Sequence, residues 1–140
     1  DSEGFLKITG RVKDLFKTSK GKYVAPTPIE QKINNNPYIE QVCLVGSGLP
    51  QPILLTTLSE NAKNQSKEEI NLSFKALLNQ VNKELESHEE IKKIIILKEE
   101  WTIENELLTP TMKIKRNVLE KKHESMYSEW FEQRDLILWE

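Results

Sequence analysis

The sequence predicts an α+β domain in which helices cover a small central sheet of three to four strands, with an N-terminal two-stranded hairpin. Three observations predict this fold. The chain has 140 residues, which suits one compact domain. Residues 66–85 carry a helix cap followed by an apolar stripe at helical spacing. Residues 94–97 form an aliphatic run typical of a buried strand.

The N-terminal segment predicts the hairpin. Strand-forming residues occupy positions 5–9 and, after a glycine, positions 12–19, and a turn follows at residues 20–22. Because the chain begins with a turn that leads directly into a strand, we expect it to be cut from a longer protein.

A helix and two further strands follow. Pro26 and Pro28 bracket a helix start, since proline is tolerated in the first helical turn, and the helix is expected over residues 28–34. Strands are expected over residues 39–45 and 52–58, and the glycine-rich loop between them has the composition of a hairpin. An anion-binding backbone nest is the less favoured interpretation of that loop.

The second half of the chain begins with a strong helix signal. Ser66 is followed three residues later by Glu69, which matches a capping box. The apolar stripe behind this cap consists of Ile70, Phe74, Leu77, Leu78, Val81 and Leu85. A strand is then expected over residues 92–98, and its uninterrupted apolar run favours a central position in the sheet.

The last part of the chain is predicted as a loop and a helix. Residues 101–111 are loop-like, with a candidate short strand at 101–103. A final helix starts near Lys115, and its apolar side chains are assigned to the core: Leu119, Met126, Tyr127, Trp130 and Phe131. We treat residues 1–140 as one domain, because no repeat or linker divides them.

Composition excludes several classes of protein. Twenty Lys and Arg residues against twenty-two Asp and Glu residues give a net charge of −2, which argues against a nucleic-acid-binding protein. The longest apolar run has four residues, whereas a membrane span needs about twenty. A single cysteine, Cys43, excludes an internal disulfide and indicates a reducing compartment. His88 and His123 lack metal-ligand spacing, so no metal site is expected.

The charges are segregated along the chain. Residues 7–22 carry six Lys or Arg residues against one Asp, and residues 113–122 carry five against one Glu. Residues 84–106 carry eight Glu residues against three Lys. A charge run is ordinarily a solvated face. The first segment is nevertheless rich in Gly, Ser and Thr, and Thr109, Pro110 and Thr111 come just before the second, which favours two loops that contact a phosphorylated ligand.

Two motifs, about 100 residues apart, carry a resemblance to a known family. Residues 4–30, which include KTSKGKYVAP, resemble the hinge motif at the start of the mobile C-terminal domain of adenylate-forming enzymes. Residues 108–116, LTPTMKIKR, resemble the lysine motif of the long-chain fatty acyl-CoA synthetase branch, and residues 87–93 are also similar to that branch. The resemblance implies that residues 1–140 are the C-terminal domain of an AMP-forming ligase whose N-terminal adenylation domain lies outside this chain.

The resemblance also implies a chemistry in two halves. The parent enzyme would use ATP with Mg²⁺ to convert a fatty acid to acyl-adenylate and pyrophosphate. The thiol of coenzyme A would then displace AMP to give the thioester. The C-terminal domain would present a different face to the adenylation domain in each half. The present chain alone is expected to be inactive, because the phosphate loop, adenine pocket and acyl tunnel belong to the N-terminal domain.

The lysine motif implies a catalytic residue. Lys113 matches the family lysine that enters the active site in the first half, where its ammonium stabilises the charge that develops between the carboxylate and the α-phosphate. Lys115 is the competing candidate. The register K-I-x-R, with Arg116 three residues after Lys113, favours Lys113.

The hinge motif implies three further assignments, which cover five residues. Arg11 matches the motif arginine expected near the ribose and phosphate of the nucleotide, with a structural ion pair as the alternative. Lys13 matches the hinge, which is expected to act through its backbone torsion. Ser19, Lys20 and Gly21 match the CoA-side loop that lines the pantetheine channel, and a plain turn is the alternative for Gly21.

A second class of function stays open beside the ligase. An independent α+β module could bind a nucleotide or a partner through the same basic loops. For the ligase, the sequence favours a cytoplasmic enzyme that has no membrane span and does not bind nucleic acid. Peripheral association of the parent enzyme with a membrane is left open.

Overall fold

The computed structural model describes residues 15–34, 36–98, 100–111 and 113–139. The strand predicted at residues 5–9 and the start of the one predicted at 12–19 lie outside the described residues.

Short strands and helices alternate along the described part of the chain. The strands are β1 (Phe16–Lys17), β2 (Tyr23–Val24), β3 (Ile39–Val45), β4 (Ile53–Leu58), β5 (Lys93–Ile96) and β6 (Ile137–Trp139). The α-helices are α1 (Pro26–Ile33), α2 (Glu60–Lys63), α3 (Lys67–Asn82), α4 (Arg116–His123) and α5 (Tyr127–Glu132). Two 3-10 helices are Ser87–Glu89 and Glu124–Met126.

The strands form two sheets. Strands β1 and β2 pair antiparallel as a hairpin, and the larger sheet has the order β3-β4-β5-β6. Strands β3 and β4 are antiparallel, whereas β4, β5 and β6 are parallel neighbours. This architecture confirms the predicted α+β class, with four strands in the central sheet and a two-stranded hairpin. The hairpin pairs residues 16–17 with residues 23–24 across the predicted turn at 20–22, so its second strand, β2, was not predicted.

Both faces of the larger sheet are apolar. Register alignment puts the following residues side by side on one face, where they pack against α1 and α3: Leu44, Leu54, Ile94 and Ile137. The opposite face packs against α4, α5 and the segment after β5, whose buried side chains include Trp101, Leu107, Leu119 and Trp130. Since side chains alternate along a strand, a sheet covered on both faces needs continuous apolar runs.

Several elements match their predictions. Helix α3 begins after Ser66, whose hydroxyl accepts the backbone N–H of Glu69 at 3.2 Å, so the predicted N-cap is confirmed. Strand β5 lies between β4 and β6 and is buried along its whole length, which confirms its central position. Helix α1 starts two residues earlier than predicted, with Pro26 in its first turn.

The strand predicted at residues 101–103 is wrong. A side chain from β3 satisfies the backbone of Trp101 instead: the Gln41 amide nitrogen donates to the Trp101 carbonyl at 2.7 Å, and its oxygen accepts the Trp101 N–H at 2.9 Å. The chain then turns, because Thr102 and Asn105 exchange side-chain and backbone hydrogen bonds of 3.0 and 3.1 Å. The residues next to Trp101 in the sequence give no indication that Gln41, 60 positions away, bonds to the Trp101 backbone.

The end of the chain also differs from its prediction. The single predicted helix is divided into α4, a 3-10 turn at 124–126 and α5. The aromatic side chains of Tyr127 and Trp130 are buried, as predicted. The three residues of β6 were not predicted as a strand, and they complete the sheet beside β5.

A buried lysine holds the segment before β6 in place. Lys93, the first residue of β5, is almost completely buried, and its ammonium donates to the carbonyls of Gln133 and Asp135, the latter at 2.6 Å. The backbone N–H of Ile94 donates to the carbonyl of Leu136 at 2.9 Å. Burial lowers the pKa of the Lys93 ammonium, and the neighbouring charge of Lys92 acts in the same direction.

Replacing Lys93 by alanine should therefore destabilise the fold. The change empties a buried volume and removes the donor for two carbonyls, so we expect a loss of about 3 kcal/mol in the free energy of unfolding, measured by urea denaturation. Lys92→Ala is the matched control, because Lys92 is adjacent but exposed, and it should change the same quantity by less than about 0.5 kcal/mol. Equal effects of the two changes would show that the contacts of Lys93 with residues 133–135 do not stabilise the fold.

Candidate functional site

The predicted catalytic lysine lies on a short loop closed by backbone hydrogen bonds. We name residues 107–115 the lysine loop. The N–H of Lys115 donates to the carbonyl of Leu107 at 2.7 Å, and the N–H of Thr109 donates to the carbonyl of Lys113 at 2.7 Å. The Thr109 hydroxyl in turn accepts the N–H of Lys113 at 3.0 Å. These bonds make the loop a small hairpin with a defined base.

The base of the lysine loop is buried and its far side is exposed. Leu107 and Leu108 are 2% and 3% exposed within the core below the sheet. Ile114, which bridges to Leu108, packs against the same core. Lys113 is exposed, whereas Lys115 is only partly exposed. The structure therefore presents Lys113 to solvent from a fixed base.

An ion pair holds the chain immediately after the lysine loop. Arg116, the first residue of α4, pairs with Glu30 of α1 through two contacts, Nη1 to Oε2 at 2.9 Å and Nη2 to Oε1 at 3.2 Å. The Arg116 and Glu30 side chains are only 16% and 13% exposed.

The same pair binds the backbone of β3. Glu30 Oε2 accepts the N–H of Leu44 at 2.6 Å, and Arg116 Nη1 donates to the carbonyl of Leu44 at 3.1 Å and to the Cys43 sulfur at 3.2 Å. We name Glu30, Arg116 and the Leu44 peptide groups the edge clamp. It connects α1, β3 and the start of α4.

The predicted CoA-side residues form a tight turn between β1 and β2. We name residues 18–22 the basic turn. The N–H of Thr18 donates to the carbonyl of Lys22 at 2.8 Å, and the N–H of Gly21 donates to the carbonyl of Thr18 at 3.0 Å. Gly21 has a φ of +81°, which glycine adopts without strain. Ser19, Lys20 and Gly21 are all exposed.

The basic turn is docked on the loop between β3 and β4. The N–H of Ser19 donates to the carbonyl of Leu49 at 2.9 Å, and the N–H of Gly48 donates to the carbonyl of Lys17 at 3.1 Å. A Cβ on Gly46 would lie 2.9 Å from Cα of Pro52 and 3.2 Å from a ring carbon of Phe16. The loop is thus the predicted hairpin connection, and its glycine permits the close approach of β1.

The structure places some of the predicted site residues and not others. Two exposed loops carry the described site residues. The lysine loop, with Lys113, lies beside the edge clamp, and the basic turn, with Ser19, Lys20 and Gly21, is docked on the β3–β4 loop. Arg11 and Lys13 lie outside the described residues.

The role of Glu30 was not predicted from the sequence, and Arg116 served there only to favour Lys113 over Lys115. Their sequence neighbours gave no signal, since Arg116 stands between Lys115 and Asn117 and Glu30 stands between Ile29 and Gln31. Their pairing over 86 positions could not be inferred from either segment alone.

Two further features concern the part of the chain that the structure describes. It contains no group of three or more His, Cys, Asp or Glu residues that could hold a metal ion. None of its helices combines the length and the apolar character that crossing a membrane requires.

Comparison with known proteins decides the family. Residues 13–135 match the family model described as the AMP-binding enzyme C-terminal domain. This chain belongs to that family. The resemblance drawn from the two sequence motifs is therefore confirmed.

Relatives within the family agree with this assignment. The chain is 32% identical over 142 residues to the long-chain-fatty-acid–CoA ligase FadD15 of Mycobacterium tuberculosis, covering 89% of this chain and 24% of that protein. It is 34% identical over 150 residues to long-chain-fatty-acid–CoA ligase 5 of Mus musculus, covering 92% of this chain and 22% of that protein. The chain thus spans less than a quarter of the length of these relatives.

A solved structure shows the same fold. The adenylation domain of the carboxylate reductase from Mycobacterium chelonae superposes with a TM-score of 0.76 at 23% identity. The match covers 88% of this chain and 20% of that one.

Glu120 gives the helix behind the lysine loop a defined pH response. Burial raises the pKa of the Glu120 carboxyl, against the opposing effects of Arg116 and of the Tyr127 hydroxyl, which lies 3.4 Å away. Burial, followed by the charge of Glu120, raises the pKa of Tyr127 as well. A carboxyl with a raised pKa retains its proton in the folded state at pH values where the unfolded chain has lost it.

The free energy of unfolding should therefore fall as the pH rises from about 4.5, the ordinary pKa of Glu, through the folded-state pKa of Glu120. Glu120→Gln should remove this contribution and make the protein more stable than the wild type at pH 7. The difference should shrink as the pH is lowered to 4 in urea titrations. The exposed Glu129→Gln is the control and should follow the wild-type pH profile. An advantage of Glu120→Gln that grows on acidification would contradict this assignment.

Proposed function

We propose that this chain is the mobile C-terminal domain of a long-chain fatty acid–CoA ligase. The parent enzyme would activate a fatty acid with ATP to acyl-AMP and then transfer the acyl group to coenzyme A. The observation that carries the proposal is the lysine loop, in which a family motif presents the exposed Lys113 from a buried base. The relatives named as long-chain-fatty-acid–CoA ligases support the substrate class.

Lys113 would act in the first half of the reaction. Negative charge develops where the fatty carboxylate attacks the α-phosphate, and a positioned ammonium stabilises it. The flexible stem of a lysine on an exposed loop can enter a site on another domain and leave it again. Lys115 is less suited to this role, since its backbone closes the base of the loop and its side chain is partly covered.

The basic turn and the hinge motif would serve the rest of the cycle. We assign Ser19, Lys20 and Gly21 to the side of the domain that faces coenzyme A in the second half, in agreement with their exposure. Arg11 would contact the nucleotide, and Lys13 would be the pivot between the two orientations. ATP would enter with Mg²⁺, and the N-terminal adenylation domain would supply the pocket, so this chain alone should release no pyrophosphate from ATP and a fatty acid.

The catalytic assignment is tested in the parent enzyme by comparing two lysines. Lys113→Ala should slow adenylate formation by about 10²–10³-fold, because it removes one preorganised charge at the transition state. Thioester formation from supplied acyl-adenylate should change by less than about threefold, since less than 1 kcal/mol of transition-state stabilisation should be lost there. Single-turnover assays of each half measure both rates.

Lys115→Ala is the matched control, two residues away on the same loop, and should leave adenylate formation near the wild-type rate. The assignment of Lys113 fails if Lys113→Ala slows both halves equally. It also fails if Lys115→Ala produces the larger loss.

The hinge assignment is tested by separating the backbone of Lys13 from its side chain. Lys13→Pro in the parent fixes φ near about −65°, so one of the two domain orientations should become hard to reach. We expect adenylate formation to survive and thioester formation to collapse in single-turnover assays. Lys13→Ala should be mild in both halves. A comparable loss from Lys13→Ala would mean that Lys13 acts through its charge, and a loss in both halves together with lowered thermal stability would mean that proline breaks the local fold.

A further inference from the structure

The edge clamp occupies a position where a neighbouring strand would otherwise pair. In the described part of the chain, β3 is at one edge of the larger sheet. The N–H and the carbonyl of Leu44 both bond to side chains, as expected for groups that face away from β4 in an antiparallel pair. A carboxylate accepts the N–H and a guanidinium donates to the carbonyl, so the ion pair makes the two bonds that a neighbouring strand would make with Leu44.

The position of Arg116 in the chain gives the clamp its significance for the site. Arg116 follows Lys113 by three residues, and the N–H of Lys115 between them closes the base of the lysine loop. The loop is therefore held at two places, by Leu107 and Leu108 in the core and by Arg116 in the clamp. The exposed stretch between these two places is short, so the place of Arg116 restricts where Lys113 can lie.

We infer that Arg116 and Glu30 are positioning residues for Lys113 in adenylate formation. The inference rests on the proposed role of Lys113. Arg116 touches neither substrate nor the reacting atoms in this scheme and acts through the main chain of residues 113–116. A misplacement of about 1 Å at a reacting group can reduce a rate by about 10²-fold, so loosening the clamp should slow the step that uses Lys113.

The chemistry of the clamp requires arginine. Arg116 uses one nitrogen for Glu30 and Leu44 together and a second nitrogen for the other Glu30 oxygen. A lysine keeps the charge but lacks the planar fork that makes these bonds at once. Arg116→Lys should therefore loosen the loop while leaving a cation at the same place.

Two clamp variants and one control test the inference in the parent enzyme. Arg116→Lys and Glu30→Gln should each slow single-turnover adenylate formation by about 30–100-fold and leave the KM for ATP within about twofold, because the lost interaction acts in the transition state. Thioester formation from supplied acyl-adenylate should stay near the wild-type rate.

The control is Glu84→Gln. It breaks a different ion pair of α1, Lys32 with Glu84 at 2.7 Å, whose side chains are 42% and 56% exposed. It should not change either half, since exposed pairs contribute little.

The double variant Lys113→Ala with Arg116→Lys separates positioning from general damage. If Arg116 acts through Lys113, the double variant forms adenylate no more slowly than Lys113→Ala alone. Three results would each overturn the inference: rate losses of the two single variants that multiply in the double variant, an equal slowing of both half-reactions by both clamp variants, or wild-type rates in both clamp variants. In each of these cases, a selective defect of Lys113→Ala would still support the proposed function. If Lys113→Ala itself shows no selective defect, the proposed role of Lys113 fails first and the inference fails with it.

Discussion

The largely buried ion pair between Glu30 and Arg116 is the interaction that fixes how α1, β3 and the chain after the lysine loop meet. Two charges in a largely buried place are costly unless each finds its partners. Here the carboxylate and the guanidinium satisfy each other and also the two peptide groups of Leu44. Removing one member of such a pair typically costs about 3–5 kcal/mol, because the other charge is left uncompensated. The clamp therefore favours one arrangement of α1, β3 and α4 over others with similar apolar packing.

The two candidate loops are polar surfaces on a rigid apolar scaffold. Continuous apolar runs in β3, β4 and β5 let helices cover both faces of the sheet, so the scaffold has little freedom to deform. Within each loop, backbone N–H and carbonyl groups a few residues apart bond to each other. Lys113 in the lysine loop and Lys20 in the basic turn are exposed. Functional residues are often found on loops that a rigid core holds in position.

The sequence predicted those elements whose cause is local. The cap and stripe of α3 and the aliphatic run of β5 lie within their own segments. The role of Lys113, assigned from its motif, stays a prediction. The elements that could not be predicted depend on residues far away in the sequence. Gln41, 60 positions from Trp101, bonds to the Trp101 backbone where a strand was predicted, and β6 follows residues whose carbonyls bind Lys93. The pair of Glu30 with Arg116 spans 86 positions and belongs to the same class. For Arg11 and Lys13, no described residue bears on the prediction.

The helix that carries Glu30 of the edge clamp is also connected directly to the basic turn. Strand β2 ends at Val24 and α1 begins at Pro26, so the hairpin that carries the basic turn leads directly into the helix that carries Glu30. Val24 and Phe16 pack in the same core as α1. In the proposed function, the lysine loop and the basic turn therefore belong to one body. Under that proposal, alternation between the two half-reactions would move both loops together, with the whole domain turning about the proposed pivot, Lys13.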